Sequence, residues 1–143
     1  MPMPREYQRA DAEFSAFLED IKSELNSPTR NTAYTTVQSV FIVFRRRLSL
    51  EQAIAFAAVL PAILRAIFVQ DWDTAEAKRD FADSDAMNAE VKAVRQAHNF
   101  SPDRSIEQVA DVLRRHVDQA AFEKTLAAIS PEARAFWGGP RAD

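Results

Sequence analysis

Two short basic runs are the groups of side chains in this sequence whose types and spacing best fit a binding site. They are Arg45, Arg46 and Arg47 in the first half of the chain and Arg114, Arg115 and His116 in the second. Guanidinium groups hold phosphate and carboxylate oxygens through paired hydrogen bonds, so two matched runs indicate a site for an anionic ligand or nucleic acid. The structural alternative, which we favour, is that cations in the last turn of a helix complement the negative end of its dipole.

A second matched pair of arginines, Arg65 and Arg134, lies in two short apolar segments that each predict a terminal helix. A guanidinium in such surroundings needs a partner, because an unpaired charge among apolar groups is costly. The partner is either a carbonyl or carboxylate of the protein itself, which we favour, or a bound anion.

The composition excludes several catalytic and cofactor chemistries. The chain has no cysteine, which excludes thiolate catalysis and thiolate zinc sites, and its only glycines are Gly138 and Gly139, so it has no glycine-rich phosphate loop. His98 and His116 are the only histidines, and an antiparallel connection between their helices would put them at opposite ends of the pair. We therefore expect no metal site and no cofactor, and an enzyme that works with carboxylates alone is the least favoured function.

Hydrophobic periodicity predicts helices throughout the chain. Apolar residues recur at steps of three and four from Tyr7 to Leu25, which predicts a first helix, with Ser27 as the N-cap and Pro28 as the first residue of the next. The segment 29–48 is ambiguous, since its β-branched and aromatic residues favour a strand while its apolar residues keep helical spacing. Its counterpart SIEQVADVLRRHV has one apolar face and is typical of a helix, so we predict a helix for both.

We predict an all-α fold of two tandem degenerate repeats of about four helices each, packed as one helical domain. A shift of 69 residues aligns Thr36–Phe68 with Ser105–Trp137 without a gap. In this alignment Ser49 and Asp118 are matching N-caps, and Ser49 forms a capping box with Gln52. The predicted parts are repeat one (about 5–72), an acidic junction (about 70–85), repeat two (about 85–137) and a short tail (138–143).

The run VFIVF, from Val40 to Phe44, is apolar all round, whereas the matching run VADVL has one apolar face. A helix that is apolar on every side must be covered on every side. The cover is either the rest of the monomer, which we favour, or a second copy of the chain. In the second case Phe41 and Phe44 are the expected interface residues of a homodimer.

Charge and hydropathy predict a soluble, cytoplasmic protein. The longest apolar stretch, from Ala53 to Val69, is shorter than the roughly 20 residues that cross a bilayer and contains Pro61 and Arg65, so we expect no membrane span. The first residues lack the apolar core of a signal peptide. The net charge of −3 makes nucleic acid a less favoured partner than protein.

The stretch RRLSLEQAIAFAAVLPAILRAIFVQDW resembles the bacterial domain-of-unknown-function family 2267. The resemblance covers most of the chain and rests on Arg47-Leu48, Glu51-Gln52-Ala53, Leu60-Pro61, Leu64-Arg65 and Trp72, with Ser130-Pro131-Glu132-Ala133-Arg134 in the second half. The sequence departs from the family pattern at Val59, where members tend to have glutamine, and at Asp71, where glycine precedes the tryptophan. The resemblance implies a small helical protein and brings no established activity, cofactor or catalytic residue.

We therefore expect a non-enzymatic helical module that acts in protein interaction or regulation, either as a homodimer or through a groove between the two repeats. The alternative, from a different class, is a binding protein for an anionic ligand or nucleic acid that uses the arginine runs and the second arginine pair.

Overall fold

The protein folds into α-helices, which confirms the predicted fold class. The computed structural model describes residues 2–94 and 103–138 of the 143-residue chain, and these residues form helices and no strand. In chain order the helices are α1 (Arg5–Gln8), α2 (Ala10–Leu25), α3 (Arg30–Arg45), α4 (Leu50–Ala58), α5 (Ala62–Val69), α6 (Ser84–Ala93), α7 (Ser105–Arg114), α8 (Gln119–Ile129) and α9 (Pro131–Phe136). Within these ranges, no helix combines the length and apolar character needed to cross a bilayer.

Two helices begin at the predicted N-caps. The Ser49 hydroxyl accepts a hydrogen bond from the backbone N–H of Gln52, and the Gln52 side chain accepts one from the backbone N–H of Ser49, which completes the capping box. The Asp118 carboxylate accepts from the backbone N–H of Ala121 at the start of α8. Both caps use bonds between residues three apart, so the sequence alone suffices to predict them.

The start of α3 corrects one prediction. Ser27 and Pro28 do not open this helix; Thr29 is its N-cap and accepts a hydrogen bond from the backbone N–H of Thr32. The cause is the end of α2, where Asn26 adopts the left-handed conformation with φ of 51°. The chain therefore turns through Ser27 and Pro28 before it becomes helical again.

Helix α3 is the central element and contacts α2, α5, α6 and α7. Four of the five residues in its apolar run are buried, with Phe41 1% exposed and Phe44 fully buried, while Ile42 is partly exposed. The two rings pack against aromatic side chains of other elements, including Phe56, Phe68 and Trp137. The alternative in which Phe41 and Phe44 form a homodimer surface is therefore corrected, because the same chain covers both of them, as in the favoured alternative.

Contacts join helices α2–α5 to helices α6–α9. Helix α2 contacts α7, α3 contacts α6, and α4 contacts α8. Arg45 Nη1 donates to the carbonyl of Phe68 at 2.9 Å, and Arg114 Nε donates to the carbonyl of Trp137 at 2.5 Å. These two bonds are related by the 69-residue shift of the proposed repeat, which stays a prediction.

The acidic junction between α5 and α6 is held against α3 by specific contacts. The backbone N–H of Arg79 donates to the carbonyl of Arg46 at 2.9 Å. The guanidinium of Arg45 lies over the ring of Trp72 at 5.4 Å, and Phe81 packs against the core. These contacts bring the junction back across the end of α3, where the first basic run lies.

Candidate functional site

Arg45, the first residue of the first basic run, is a buried structural cation. Its Nη1 donates to the backbone carbonyls of Phe68 and Gln70, at 2.9 and 3.1 Å. Burial lowers the pKa of Arg45 from its ordinary value. Because Arg45 is only 6% exposed and binds carbonyls at the end of α5, its guanidinium is hardly accessible to an external anion.

The other two residues of this run, Arg46 and Arg47, bind Glu90 of α6. Arg47 Nη2 lies 2.6 Å from Glu90 Oε2, and Arg46 Nη1 and Arg79 Nη1 lie 3.2 and 2.8 Å from Glu90 Oε1. Burial alone would raise the pKa of Glu90, but the hydrogen bond and charge of Arg47, with help from Arg46 and Arg79, lower it below its ordinary value. The first run therefore binds a carboxylate of its own chain.

The second run divides into one paired and one exposed arginine. Arg114 pairs with Glu123, which also accepts from Arg134 Nε at 3.1 Å, and the hydrogen bond from Arg114 is the main cause of the lowered pKa of Glu123. Arg65 is likewise bound, to two backbone carbonyls and to a carboxylate of α1. Arg115 is exposed and makes no ion pair with the described residues. Six of the seven arginines predicted as an anion or partner site thus have partners within the chain.

His116 joins the end of α7 to α2, because its Nε2 lies 2.6 Å from Asp20 Oδ2. His116 also lines a cavity of about 280 Å³, together with Arg115, Glu13 and mostly apolar side chains. The opposite charges of Arg115 and Glu13 favour neither an anionic nor a cationic ligand there. His98 lies outside the described residues, and the described part of the chain contains no cluster of three or more residues suited to bind a metal.

A groove of about 950 Å³ lies between α6, α7 and α9. Ligand sites in proteins typically have volumes of roughly 300–1,000 Å³. The floor of this groove consists of apolar side chains from the three helices and the junction: Phe81, Met87, Ile106, Ala110, Phe136 and Trp137. The groove therefore offers contact area to an extended or helical segment with apolar side chains.

Carboxylates outnumber guanidinium groups around this groove. Asp85, Asp111 and Glu132 are exposed, and their side chains make no ion pair or hydrogen bond with the described residues. Asp103 and Glu107 also line the groove but are bound by side chains of α6. Since only two arginines stand against these five acidic residues, the lining carries a net negative charge.

Two buried hydrogen-bond donors belong to residues that line the groove. Trp137 Nε1 and Arg114 Nη2 have no acceptor among the described residues. Buried polar groups in proteins are nearly always bonded, so these two N–H groups are exceptions among the described residues. Because both atoms are inaccessible to solvent, they are not part of the surface that a ligand would meet.

Asn88 joins α6 to the start of α7 and thereby sets the shape of the groove. Its Oδ1 accepts from the backbone N–H of Ile106, and its Nδ2 donates to Glu107 Oε2, both at 2.9 Å. The residue before α7 supplies no side-chain cap, so Asn88 of the neighbouring helix takes that role.

We expect Asn88→Ala to destabilise the protein by about 1–3 kcal/mol, because the buried N–H of Ile106 would lose its acceptor. Urea-induced unfolding followed by circular dichroism measures this change. Asn31→Ala, at an exposed position of α3, is the matched control and should leave the midpoint unchanged. Equal midpoints for the two variants would contradict the capping role of Asn88.

Sequence patterns do not predict the groove, because its residues are dispersed over three helices. One local feature of the sequence points to the groove. Trp137 occupies the position that Phe68 has in the first half of the chain, so the second half has an N–H group where the first has only a phenyl ring. Asp85 lies at the end of the predicted acidic junction, and Asp111 and Glu132 occupy ordinary exposed helix positions.

No curated protein matches the chain. The family model described as "Uncharacterized conserved protein (DUF2267)" matches residues 14–136, a range that includes α6, α7 and α9. The match extends over more than half of the chain and confirms the resemblance seen in its residues. The chain therefore belongs to the DUF2267 family of uncharacterised conserved proteins.

Proposed function

We propose that this chain is a non-enzymatic helical module that acts in protein interaction by holding a segment of a partner protein in the groove between α6, α7 and α9. The observation that carries the proposal is the groove, with its apolar floor and exposed carboxylates. Peptide segments with one apolar face bind in grooves that offer apolar contact, and charged groups beside such a groove add specificity. We also propose that the protein is cytoplasmic and comes from a bacterium.

Three carboxylates of the described residues are held ionised by their partners. Burial would raise the pKa of Glu107, but hydrogen bonds from Ser84 and Asn88 lower it, and the pKa values of Glu90 and Glu123 are lowered as well. A general acid needs a raised pKa, near the pH at which it works, so these three residues are suited to be fixed hydrogen-bond acceptors rather than general acids.

Self-association is a second candidate, and one observation favours it. Leu50 and Ile54 lie one turn apart on α4 and are 54% and 60% exposed. Ala55 and Ala58 are exposed on the same helix, so α4 presents a small apolar face to solvent. The anionic-ligand alternative is less favoured, because it would require Glu90 and Glu123 to release the arginines that they bind.

Selection from a library of random nine-residue peptides, displayed on phage, tests the proposed function. The groove variant is Ala135→Tyr, which places a neutral ring on the groove wall. The matched control is Ala66→Tyr, an exposed alanine of α5 that lies 69 residues earlier. We expect peptides that bind the wild type and Ala66→Tyr alike, and bind Ala135→Tyr about tenfold more weakly because the ring obstructs the groove.

Two results of this selection contradict the proposal. One is the recovery of no peptide that binds the wild type. The other is the recovery only of peptides that bind the two tyrosine variants equally, because their site would then lie away from the groove.

A further inference from the structure

On the basis of the proposed function, we infer that the partner segment held in the groove is basic, with lysine or arginine side chains beside apolar ones. The charges of the groove carry this inference. Five acidic residues and two arginines line it. Arg114 already pairs with Glu123 and Asp103 with Lys92, which leaves four acidic residues against one arginine. Positive side chains are therefore attracted to the groove, while negative ones are repelled.

The exposed carboxylates are available to a partner. Asp85 lies on α6, Asp111 on α7 and Glu132 on α9, so each of the three helices contributes one unpaired carboxylate. The groove is bounded by all three helices, so a segment bound in it lies beside each of them. Nucleic acid fits poorly here, because its phosphates would meet this negative rim.

The apolar floor favours a peptide over a small cation such as a polyamine. Met87, Ile106 and Phe136 offer apolar contact, which a peptide meets with apolar side chains. A polyamine has positive charge but no apolar side chains.

A charge-reversal experiment tests the inference on the full chain. The groove variant combines Asp85→Lys, Asp111→Lys and Glu132→Lys. The matched control reverses three exposed carboxylates elsewhere and changes the net charge equally: Glu24→Lys, Glu51→Lys and Asp80→Lys. The probes are the tightest groove-dependent peptide from the selection, the same peptide with every lysine and arginine replaced by glutamate, and spermidine.

We expect the selected peptides to be rich in lysine and arginine. In 0.15 M NaCl, the groove variant should bind the basic peptide about tenfold more weakly than the control does, and the glutamate peptide more tightly. Spermidine should compete only weakly with the peptide.

Three outcomes would overturn the inference while leaving the proposed function in place. They are groove-dependent peptides without an excess of basic residues, equal affinities for the groove variant and the control, and spermidine competing as strongly as the peptide. Failure to recover any groove-dependent peptide would overturn the proposed function itself.

Discussion

Replacing Trp137 by alanine is expected to lower the free energy of unfolding by about 3–5 kcal/mol, the usual cost of deleting a large buried aromatic side chain. Trp137 is fully buried, and its ring centroid lies within 6.1 Å of five phenylalanine rings. The alanine variant would leave a cavity where these rings meet. Guanidinium-induced unfolding, followed by far-ultraviolet circular dichroism, measures the loss without depending on tryptophan emission.

The chain offers Trp72 as a matched control for this prediction. Trp72 is only partly buried and packs on the guanidinium of Arg45 at the edge of the core. Trp72→Ala should therefore cost clearly less stability than Trp137→Ala. If the two variants unfold at the same denaturant concentration, the ring of Trp137 is not the centre of the aromatic core.

Replacing Glu90 by glutamine is expected to cost about 3–5 kcal/mol, because it removes the negative charge that pairs with the buried guanidinium of Arg47. Arg47, whose side chain is 4% exposed, would keep its positive charge and lose its ionic partner. Arg46 would retain only its pair with Glu76, a carboxylate of the exposed junction. The free energy of unfolding at pH 7 measures the effect.

The same prediction has a definite pH dependence. Since the folded-state pKa of Glu90 lies below its ordinary value, its contribution to stability is complete above about pH 4.5 and is lost as the pH falls through that lowered pKa. The stability difference between wild type and Glu90→Gln should therefore shrink below about pH 4.5. Glu19→Gln, which breaks an exposed pair with Arg30, is the control and should cause no measurable change at pH 7. A constant difference between wild type and Glu90→Gln from pH 7 to pH 3 would contradict the ionic role of Glu90.

Local features of the fold follow directly from the sequence. The Ser49 and Asp118 caps and the Gln52 capping box involve neighbours along the chain, so pattern alone predicts them. The cover of the VFIVF run is a matter of tertiary packing, and sequence left two alternatives open. The structure decides between them by burying Phe41 and Phe44 within one chain.

The partners of the arginines could not be predicted from spacing. Glu90 lies 43 residues after Arg47, and the contact exists because α6 packs against the end of α3. The same limit applies to the groove, whose carboxylates come from three helices. Composition indicates that charges must pair, but only the packing of the helices determines which ones do.

Asp71 adopts a backbone conformation that normally favours glycine. It stands where glycine precedes the tryptophan in the family, and its φ is 53°, in the left-handed region that glycine adopts without strain. Aspartate tolerates this conformation better than most residues do, because its short polar side chain can form local hydrogen bonds. Asp71 therefore takes a conformation here that glycine would adopt more easily.

The binding role of the groove is tested most directly by a nuclear magnetic resonance titration of the ¹⁵N-labelled wild type with a selected peptide. The chain has two tryptophans, and Trp137 lines the groove whereas Trp72 does not. We predict that the indole N–H resonance of Trp137 and backbone resonances of α6, α7 and α9 shift, while the indole resonance of Trp72 stays in place. Shifts confined to Trp72 and α4, with Trp137 unchanged, would contradict the groove as the binding site.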